Sequence, residues 1–426
     1  MSIASNHFGR REFLQGSGVL LVAAGGATLL RLSSAEAQQA GTVAAAVRGI
    51  APEQLDTWIT LDTAGAVTAF FGKMDMGQGV DTAVAQIVAD ELDVAVERVS
   101  VVMGDTHRTP NQGGASGSSA CRQGANALRS AAAEARRVLL ERAGAALGVA
   151  PAMLAVRDGR VSAAGAAGGR STTYGELIAD GFRTPLQWNR QFGNGLTVRG
   201  AAPVKAVADY QVVGRPVARK DIAGKVLATT EYCVHVNLPG MLHARVVRPP
   251  VAGSVPVAVD ENSIAAIAGA QVVQDGDFLA VVAPDEWGAI RAARQLVVRW
   301  SDVPAPFPAD AGLFDHIRGA PVVADNAVAN FGARQAFDAA PALAAISAAP
   351  RRVEAEYEVA FQSHARMAPS IGVADVGNDS AVIYADVQKP HDTRAGIAKL
   401  LGLPPESVRV IWKPGDRKST RLNSSH

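Results

Sequence analysis

The segment GKMDMGQGVDTAVAQIVADELD, Gly72 to Asp93, joins the end of a predicted strand to an amphipathic helix through the glycines Gly77 and Gly79. Glycine accepts the positive φ angles of a tight turn and lets the backbone approach a ligand closely. The helix that follows directs unpaired N–H groups and the positive end of its dipole to the same place, so the corner suits an anion. The alternative is a glycine turn without a ligand. The spacing matches neither the Rossmann fingerprint nor the P-loop, and an ordinary nucleotide-binding fold is not predicted.

A second corner of the same kind follows in the chain. The sequence VSVVMGD, Val99 to Asp105, predicts a buried strand, and a loop rich in Gly and Ser runs from Thr109 to Gly124. Apolar residues at helical spacing then predict a long helix from about Ala125 to Leu147. Two such corners in one α/β unit can hold a single extended anionic ligand, because each supplies backbone donors and the serines supply hydroxyls.

Composition limits the class of protein. A chain of 426 residues with 48% hydrophobic and 19% charged residues is long enough for two or three globular domains. The net charge of +1 and the scattered basic residues argue against nucleic acid as a partner. The two cysteines, Cys121 and Cys233, lack metal-ligand spacing, so the chain cannot by itself hold a four-thiolate iron–sulfur cluster or a Cys-rich zinc site.

The N-terminal segment predicts an export signal. Arg10 and Arg11 precede a mildly apolar stretch from Val19 to Leu32, and Ala35-Glu36-Ala37 offers small residues to a signal peptidase. This pattern is typical of twin-arginine export to the periplasm with cleavage after Ala37. The apolar run is shorter than about 18 residues and contains Arg31, so a permanent membrane span is not predicted. Twin-arginine export moves folded proteins, which favours a complex cofactor inserted before export.

The rest of the chain alternates between predicted strands and helices. Two strands joined by an Ala-Gly turn are predicted within Trp58 to Met74, and the first corner leads into a helix from Asp81 to Leu92. The remaining predictions are, in chain order, an irregular connection at 151–208, a new α/β unit from Val213, a helix at 285–295, a strand at 296–300, a Pro- and Ala-rich linker at 303–326, strands within 351–376 and 380–388, a helix at 393–401 and the strand VRVIW.

Several of these segments together resemble the molybdopterin-binding large subunit of the xanthine dehydrogenase and aldehyde oxidase family. The segments that carry the resemblance are GKMDMGQGVDTAVAQIVADELDV, VVMGDTHRTPNQGGASGSSACRQGANALRSAAAEAR, VGRPVARKDIAGKV with LPGMLHARVVRPP, FQSHARMAPSIGVADV and TRAGIAKLLGLPPESVRVI. The Gly-Gln-Gly segment lies upstream of the small α/β domain, as in the exported bacterial branch of isoquinoline 1-oxidoreductase and nicotinate dehydrogenase. The implied fold class is α+β/α/β, a molybdopterin-binding α/β domain plus an aldehyde oxidase/xanthine dehydrogenase a/b hammerhead domain.

The resemblance also implies an organisation into segments. These are a signal peptide at 1–37, a first molybdopterin-binding segment at 55–208, the hammerhead domain at 213–302, a linker at 303–350, the start of a second molybdopterin-binding domain at 351–414 and a tail at 415–426. The tail sequence DRKSTRLNSSH is polar, aperiodic and unlike the family, so a non-native tail is predicted; a native disordered tail is the alternative.

The resemblance implies a cofactor site as well. The cofactor would be molybdenum-molybdopterin cytosine dinucleotide, held by Gly77, Gln78, Gly79, Thr82, Ala115, Ser116, Gly117, Ser118 and Gln362. Gln362 would lie beside the metal, whereas His364 has the alternative of a core histidine on a strand. Ala368 stands where many relatives have an acidic residue, so the local hydrogen bonding there departs from the family pattern.

The implied function is that of an oxidoreductase, a molybdenum hydroxylase acting on an N-heteroaromatic or aldehyde substrate. Family members use a glutamate as general base, which is expected beyond this chain, so the chain alone is expected to be inactive. Electrons would leave through 2Fe-2S clusters on a small partner subunit, often followed by a c-type cytochrome. Two alternatives stay open: a non-catalytic exported binding module without metal, and a fragment that does not fold stably.

Overall fold

The computed structural model describes residues 55–163, 169–179, 200–308, 310–321, 327–330, 333–336, 338–360 and 370–415. Its helices are α1 (Val80–Leu92), α2 (Ala125–Leu147), α3 (Tyr174–Leu177), α4 (Ile222–Val226), α5 (Glu286–Gln295), α6 (Asp310–Gly319), α7 (Ala340–Ala348) and α8 (Pro390–Leu401). Its strands are β1 (Ile59–Leu61), β2 (Val67–Phe71), β3 (Val99–Met103), β4 (Leu154–Arg157), β5 (Arg160–Ala163), β6 (Ser171–Thr173), β7 (His243–Val246), β8 (Pro256–Asp260), β9 (Gln271–Asp275), β10 (Phe278–Ala283), β11 (Val297–Trp300), β12 (Ala327–Asn330), β13 (Ala333–Ala336), β14 (Gly372–Val376), β15 (Ala381–Ala385) and β16 (Val408–Trp412).

The chain divides into two compact units. The first unit contains Met1–Leu242 and His364–His426, and the second contains His243–Ser363. The predicted hammerhead segment at 213–302 crosses this division, because its first residues, 213–242, belong to the first unit. The mixed α/β content is confirmed, whereas the hammerhead assignment stays a prediction.

The first sheet of the first unit has the strand order β1-β2-β3, with β2 antiparallel to β1 and parallel to β3. Parallel neighbours need a crossover connection, and α1 supplies it between β2 and β3. The side chains of Val84, Val88 and Leu92 are fully buried on α1, and Leu128 is fully buried on α2. The predicted strands and both helices are confirmed, although β3 is less buried than expected because its residues after Val99 are exposed or half-buried.

A second three-stranded sheet belongs to the same unit. Its order is β14-β15-β16, with β15 antiparallel to β14 and parallel to β16, and α8 connects the parallel pair. The backbone N–H of Thr106 donates to the carbonyl oxygen of Val410 at 3.0 Å, and the Val410 N–H donates to Thr106 Oγ1 at 2.9 Å. The chain after β3 is therefore hydrogen-bonded directly to β16.

The prediction of an irregular connection at 151–208 was wrong for its first part. Strands β4, β5 and β6 form an antiparallel sheet there, and Asp158 and Gly159 make the turn between β4 and β5 with φ angles of 47° and 73°. Asp-Gly is a strong hairpin signal, but strands of three or four residues show too little alternation to be recognised by periodicity. The buried Tyr174 hydroxyl donates to the Leu92 carbonyl oxygen at 3.0 Å and fastens this sheet to α1.

Two further expectations need correction. The Pro- and Ala-rich linker predicted at 303–326 contains the helix α6, and α7 lies within the wider linker at 303–350. The strand predicted within 351–376 is present as β14, whereas residues 351–360 have no regular secondary structure. The alternation of apolar and acidic residues at 353–359 predicts a strand, but a strand forms only where a neighbouring strand completes its hydrogen bonds.

The described residues of the second unit form three small sheets, with the orders β7-β10-β9, β11-β8 and β12-β13. Helix α5 begins after Asp285, whose side chain accepts from the Gly288 N–H at 2.8 Å, an N-cap that stabilises the first turn. The core of this unit includes Leu279 and Val281 of β10. Across the described ranges of both units, the helices are too short or too polar to cross a membrane.

Candidate functional site

The first corner is the loop of residues 72–79, called the Gly-Gln-Gly loop below. Gly77 has a φ of 98° and Gly79 a φ of 73°, which confirms the left-handed turn that two glycines predict. Asp75 Oδ1 accepts from the N–H groups of Gly77 at 2.8 Å and Gly79 at 3.2 Å. Asp75 thus uses these two N–H groups to hold the shape of the turn. Gln78 is exposed, and its Oε1 accepts from the Met76 N–H at 2.7 Å.

Charged side chains surround this turn. Burial raises the pKa of Asp75, and the nearby carboxylates of Asp81 and Asp221 add to the rise. Arg219 donates to the Gly77 carbonyl oxygen at 3.2 Å and pairs with Asp221 at 2.6 Å. Its hydrogen bonds to Asp221 lower the pKa of that carboxyl to about 2. The guanidinium of Arg219 is thus a fixed cation at the edge of the Gly-Gln-Gly loop.

The second corner is the loop of residues 113–119, called the Ala-Ser loop below. Gly117 and Ser118 have φ angles of 58° and 52°, and Ser116, Gly117 and Ser118 are all exposed. Ala115 is buried against Met74 and Met76 of the first loop. A single π-helical turn, Ala120–Gly124, leads from this loop into α2, and such turns recur at functional sites.

Two buried polar side chains hold the loops together. Lys73 Nζ donates to the Gly114 carbonyl oxygen at 2.7 Å and to Ser119 Oγ at 3.2 Å. Gln112 accepts from the Gly72 N–H at 2.9 Å and donates to the Gly124 carbonyl oxygen at 2.8 Å. The structure therefore brings together the two corners that the sequence predicted, and neither Lys73 nor Gln112 was recognised in the sequence.

The backbone of both loops faces open space. A Cβ atom built on Gly77, Gly113 or Gly117 would meet nothing within 4 Å. By contrast, a Cβ on Gly79 would lie 2.8 Å from Arg219 Nε, and one on Gly114 would lie 2.5 Å from Lys389 Cγ. The open side of the loops is a cradle of backbone and small side chains, while the opposite side is packed against the protein.

Other predicted site residues fall elsewhere. Thr82 is buried, and its hydroxyl accepts from the Lys220 N–H at 3.0 Å. Its role as a cofactor contact stays a prediction, and the hydroxyl already has a partner within the protein. Gln362 and His364 lie outside the described residues, so their roles also stay predictions. A glutamine that the sequence did not single out, Gln388, lies at the second corner. Its backbone carbonyl oxygen accepts from the Ala115 N–H at 3.0 Å.

A buried polar cluster lies beside the contact between β16 and the chain after β3. Burial, reinforced by the charge of Arg394, lowers the pKa of His391 to about 4, and burial also lowers the pKa of His107. Both ring nitrogens of His391, His107 Nε2 and Arg394 Nε are buried without a hydrogen-bond partner among the described residues. In the ranges that the structure covers, no group of three or more His, Cys, Asp or Glu side chains could hold a metal ion.

Comparison with known families identifies the class of protein. Two family models match, both described as a molybdopterin cofactor-binding domain, one over residues 32–237 and the other over residues 325–414. The two corners lie within the first match, and β14, β15, α8 and β16 lie within the second. The chain is thus built largely of molybdopterin-binding domains.

Individual relatives narrow this class to a family. A nicotinate dehydrogenase subunit of Pseudomonas putida is 36% identical over 377 residues, which are 85% of this chain and 30% of that protein. The beta subunit of isoquinoline 1-oxidoreductase of Brevundimonas diminuta is 31% identical over 304 residues, 64% of this chain and 38% of that protein. The solved structure of quinoline 2-oxidoreductase from Pseudomonas putida 86 is 20% identical, with a TM-score of 0.36, and the match covers 48% of this chain and 30% of that one. The chain belongs to the xanthine dehydrogenase and aldehyde oxidase family, among its molybdopterin-binding large subunits. It spans about a third of the length of the two curated relatives.

The residues present fit an extended anionic cofactor of this kind. Because the glycines leave open space above the backbone, such a cofactor could approach the backbone of both loops closely. The exposed Ser116 and Ser118 offer hydroxyl donors to it. The guanidinium of Arg219 lies at one end of the cradle, where it is paired with Asp221. A bulky side chain at Gly77 or Gly117 would fill the space that such a ligand needs.

Proposed function

We propose that this chain is the molybdenum-cofactor-binding part of the large subunit of a periplasmic molybdenum hydroxylase. The enzyme would be an oxidoreductase that hydroxylates an N-heteroaromatic or aldehyde substrate with oxygen derived from water. Two supports come from the comparisons: the matched domains bind molybdopterin, and the similar proteins are named for nicotinate and isoquinoline. The twin-arginine pattern at Arg10 and Arg11 supports the periplasmic location.

The observation that carries the proposal is the pairing of the two loops. Lys73 and Gln112 hold the Gly-Gln-Gly loop and the Ala-Ser loop side by side, and both leave glycine backbone facing open space. A ligand with anionic groups along its length could contact both loops at once. Residues 77–79 would then hold one part of the molybdopterin cytosine dinucleotide, and residues 115–118 another.

The protein and the cofactor have different tasks. When bound, the molybdenum centre supplies the Lewis acidity and the redox chemistry of the hydroxylation. The side chains of this chain would orient the cofactor, and the apolar cluster of Met74, Met76 and Ala115 with Trp412 would exclude water beneath the loops. We also propose that the 426-residue chain alone does not turn over substrate, because the resemblance assigns the family's general base to none of its residues.

Electron transfer requires partners. Two cysteines, one exposed and one buried, cannot hold 2Fe-2S clusters, so electrons would pass to a small 2Fe-2S subunit and onward to a c-type cytochrome. Co-purification of a tagged chain with an iron–sulfur protein tests this part of the proposal. Isolation of the loaded protein without bound iron, under conditions that preserve complexes, would contradict it.

The cradle itself is tested by blocking its open side. The variant Gly77→Val should reduce molybdenum and cytidine nucleotide content after expression in a host that makes the cofactor. Gly214→Val is the matched control, because Gly214 also has a positive φ, 81° against 98° for Gly77, and also has nothing within 4 Å of a built Cβ. Both variants carry similar backbone strain, but only the first fills the cradle. Equal cofactor content in the two folded variants would sink the assignment.

A further inference from the structure

Lys73 lies beneath the cradle with its charge unbalanced. The residue is 1% exposed, and its Nζ donates to two neutral oxygens, the Gly114 carbonyl and Ser119 Oγ. Within the described chain, no carboxylate forms an ion pair with it. Burial of an unpaired ammonium is costly, because a low-dielectric interior replaces the water that stabilised the charge. Burial accordingly lowers the pKa of Lys73, with no other cause of comparable size.

Among the described residues, the titratable groups near Lys73 form no ion pair with it. Asp75, the nearest acidic residue in its own loop, accepts from the N–H groups of Gly77 and Gly79. Cys121, at the start of the π-helical turn, is exposed, but partial desolvation of its thiol and the charge of Asp75 raise its pKa. Gly124 packs directly on the Lys73 side chain, with a built Cβ only 2.9 Å from Lys73 Cδ. In the part of the chain that the structure describes, the two loops therefore enclose an ammonium that has no paired carboxylate.

We propose that Lys73 is a positioning residue whose ammonium takes its counter-charge from an anion held between the two loops, so that binding of this anion is coupled to protonation of Lys73. The inference rests on the proposed function and assigns to that site a proton-linked step. Lys73 acts in two ways: its hydrogen bonds fix the Ala-Ser loop against the Gly-Gln-Gly loop, and its charge attracts the diphosphate of the ligand. The chemistry recognised is that of a pyrophosphate group carrying a cytidine.

The sign of the coupling follows from linkage. An anion nearby stabilises the protonated amine and raises its pKa in the complex above that of the free protein. Below the free-protein pKa both states are protonated, and affinity does not depend on this group. As the pH rises through that pKa, binding must take up a proton, and affinity falls by up to about tenfold per pH unit. The complex thus forms best when Lys73 is charged.

The test measures binding of cytidine diphosphate, with inorganic pyrophosphate as a second probe, by calorimetry on the full chain from about pH 7.5 to about pH 10. Runs in buffers of different ionisation enthalpy give the number of protons taken up. The background variant Cys121→Ser removes the thiol, a second titratable group beside the loops whose pKa is raised by desolvation, so that its proton is not counted. In this background we expect proton uptake at alkaline pH. Lys73→Met should abolish the uptake and weaken binding by about tenfold, since methionine is an unbranched side chain of similar size without the charge.

Lys220 provides a matched control. Its Nζ also donates to two neutral oxygens, here the backbone carbonyls of Val96 at 3.0 Å and Val99 at 2.8 Å, but the residue is exposed. Lys220→Met should leave both the affinity and the proton count unchanged. Proton uptake in the background protein needs no Lys73 variant, so the proposal is testable even if Lys73→Met does not fold.

The outcomes separate the two proposals. Binding without proton uptake, or with an affinity that Lys73→Met leaves unchanged, overturns the role of Lys73 and leaves the cradle standing. No binding of either probe at any pH overturns both. Proton uptake that disappears in Lys73→Met but persists in Lys220→Met supports the coupling.

Discussion

Arg409 on β16 donates two hydrogen bonds to the carboxylate of Asp105, Nε to Oδ1 at 3.0 Å and Nη2 to Oδ2 at 2.5 Å, across 304 residues of sequence. Asp105 lies two residues after β3 and before the Ala-Ser loop, and its side chain is 6% exposed, against 24% for Arg409. Because each residue lies in a different molybdopterin-binding match, the pair joins the two matched segments within the first unit.

Removal of Arg409 should therefore destabilise the first unit. Arg409→Leu leaves the Asp105 carboxylate buried without its cation, which typically costs about 3 kcal/mol. Urea unfolding followed by circular dichroism measures the change in the free energy of unfolding. Arg98→Leu is the control, because Arg98 and Asp158 form an exposed pair, with side chains 42% and 50% exposed, worth at most about 1 kcal/mol. Equal losses in the two variants would contradict the structural role of the Asp105–Arg409 pair.

Stability should fall in mild acid because of His391. Burial lowers its folded-state pKa to about 4 from an ordinary value of 6.5, so the unfolded state binds the proton first as the pH falls. The free energy of unfolding contributed by this group is complete above pH 6.5 and is lost between there and pH 4, by at most about 3 kcal/mol.

The difference between wild type and His391→Leu isolates this effect from other groups whose pKa differs between the folded and unfolded states, such as Asp75, whose raised pKa acts in the opposite direction. His316→Gln is the control, since His316 is exposed on α6. We expect the pH slope of stability between pH 6.5 and 4 to flatten in His391→Leu alone. An unchanged slope in that variant would show that His391 is protonated in the folded state as readily as in the unfolded one.

The cofactor should protect one cysteine from alkylation and not the other. Cys121 is exposed and follows the Ala-Ser loop directly, whereas Cys233 is buried. Iodoacetamide labelling, resolved by peptide mass spectrometry, should modify Cys121 severalfold more slowly in cofactor-loaded protein than in cofactor-free protein. Cys233 is the internal control for unfolding. Equal labelling rates at Cys121 in the two samples would place the cofactor away from the second corner.

Export should depend on the paired arginines. Replacing Arg10 and Arg11 by lysine should trap the precursor in the cytoplasm, because the twin-arginine route requires the pair. Cell fractionation and N-terminal sequencing of the periplasmic protein measure the effect, with Gln38 expected as the first mature residue. Arg31→Lys serves as the control for a charge-preserving change in the same segment. Periplasmic delivery that survives loss of the pair would refute the assignment.

Local order was predictable to a large extent. Both glycine corners, the helices α1 and α2, and the strands β15 and β16 follow from turn residues and hydrophobic periodicity, which act over a few neighbouring positions. The short strands β4, β5 and β6 were missed because three or four residues carry too little pattern, although Asp158-Gly159 supplied a turn signal. Residues 351–360 have the alternation of a strand without forming one, since pairing requires a neighbour that periodicity does not report.

The sequence alone determined that two corners of small residues precede helices. It also determined that the backbone at Gly77 and Gly79 can adopt a left-handed turn, because these properties depend on residue type and local spacing. The tertiary structure decided how the two corners are held together. Gln112 reaches 40 residues back along the chain to Gly72, and Lys73 reaches 41 residues to Gly114 without an acidic partner in the described structure. Hydrogen bonds and charge balance of this kind arise between residues brought together by packing, so they depend on distances in space that the order of residues does not contain.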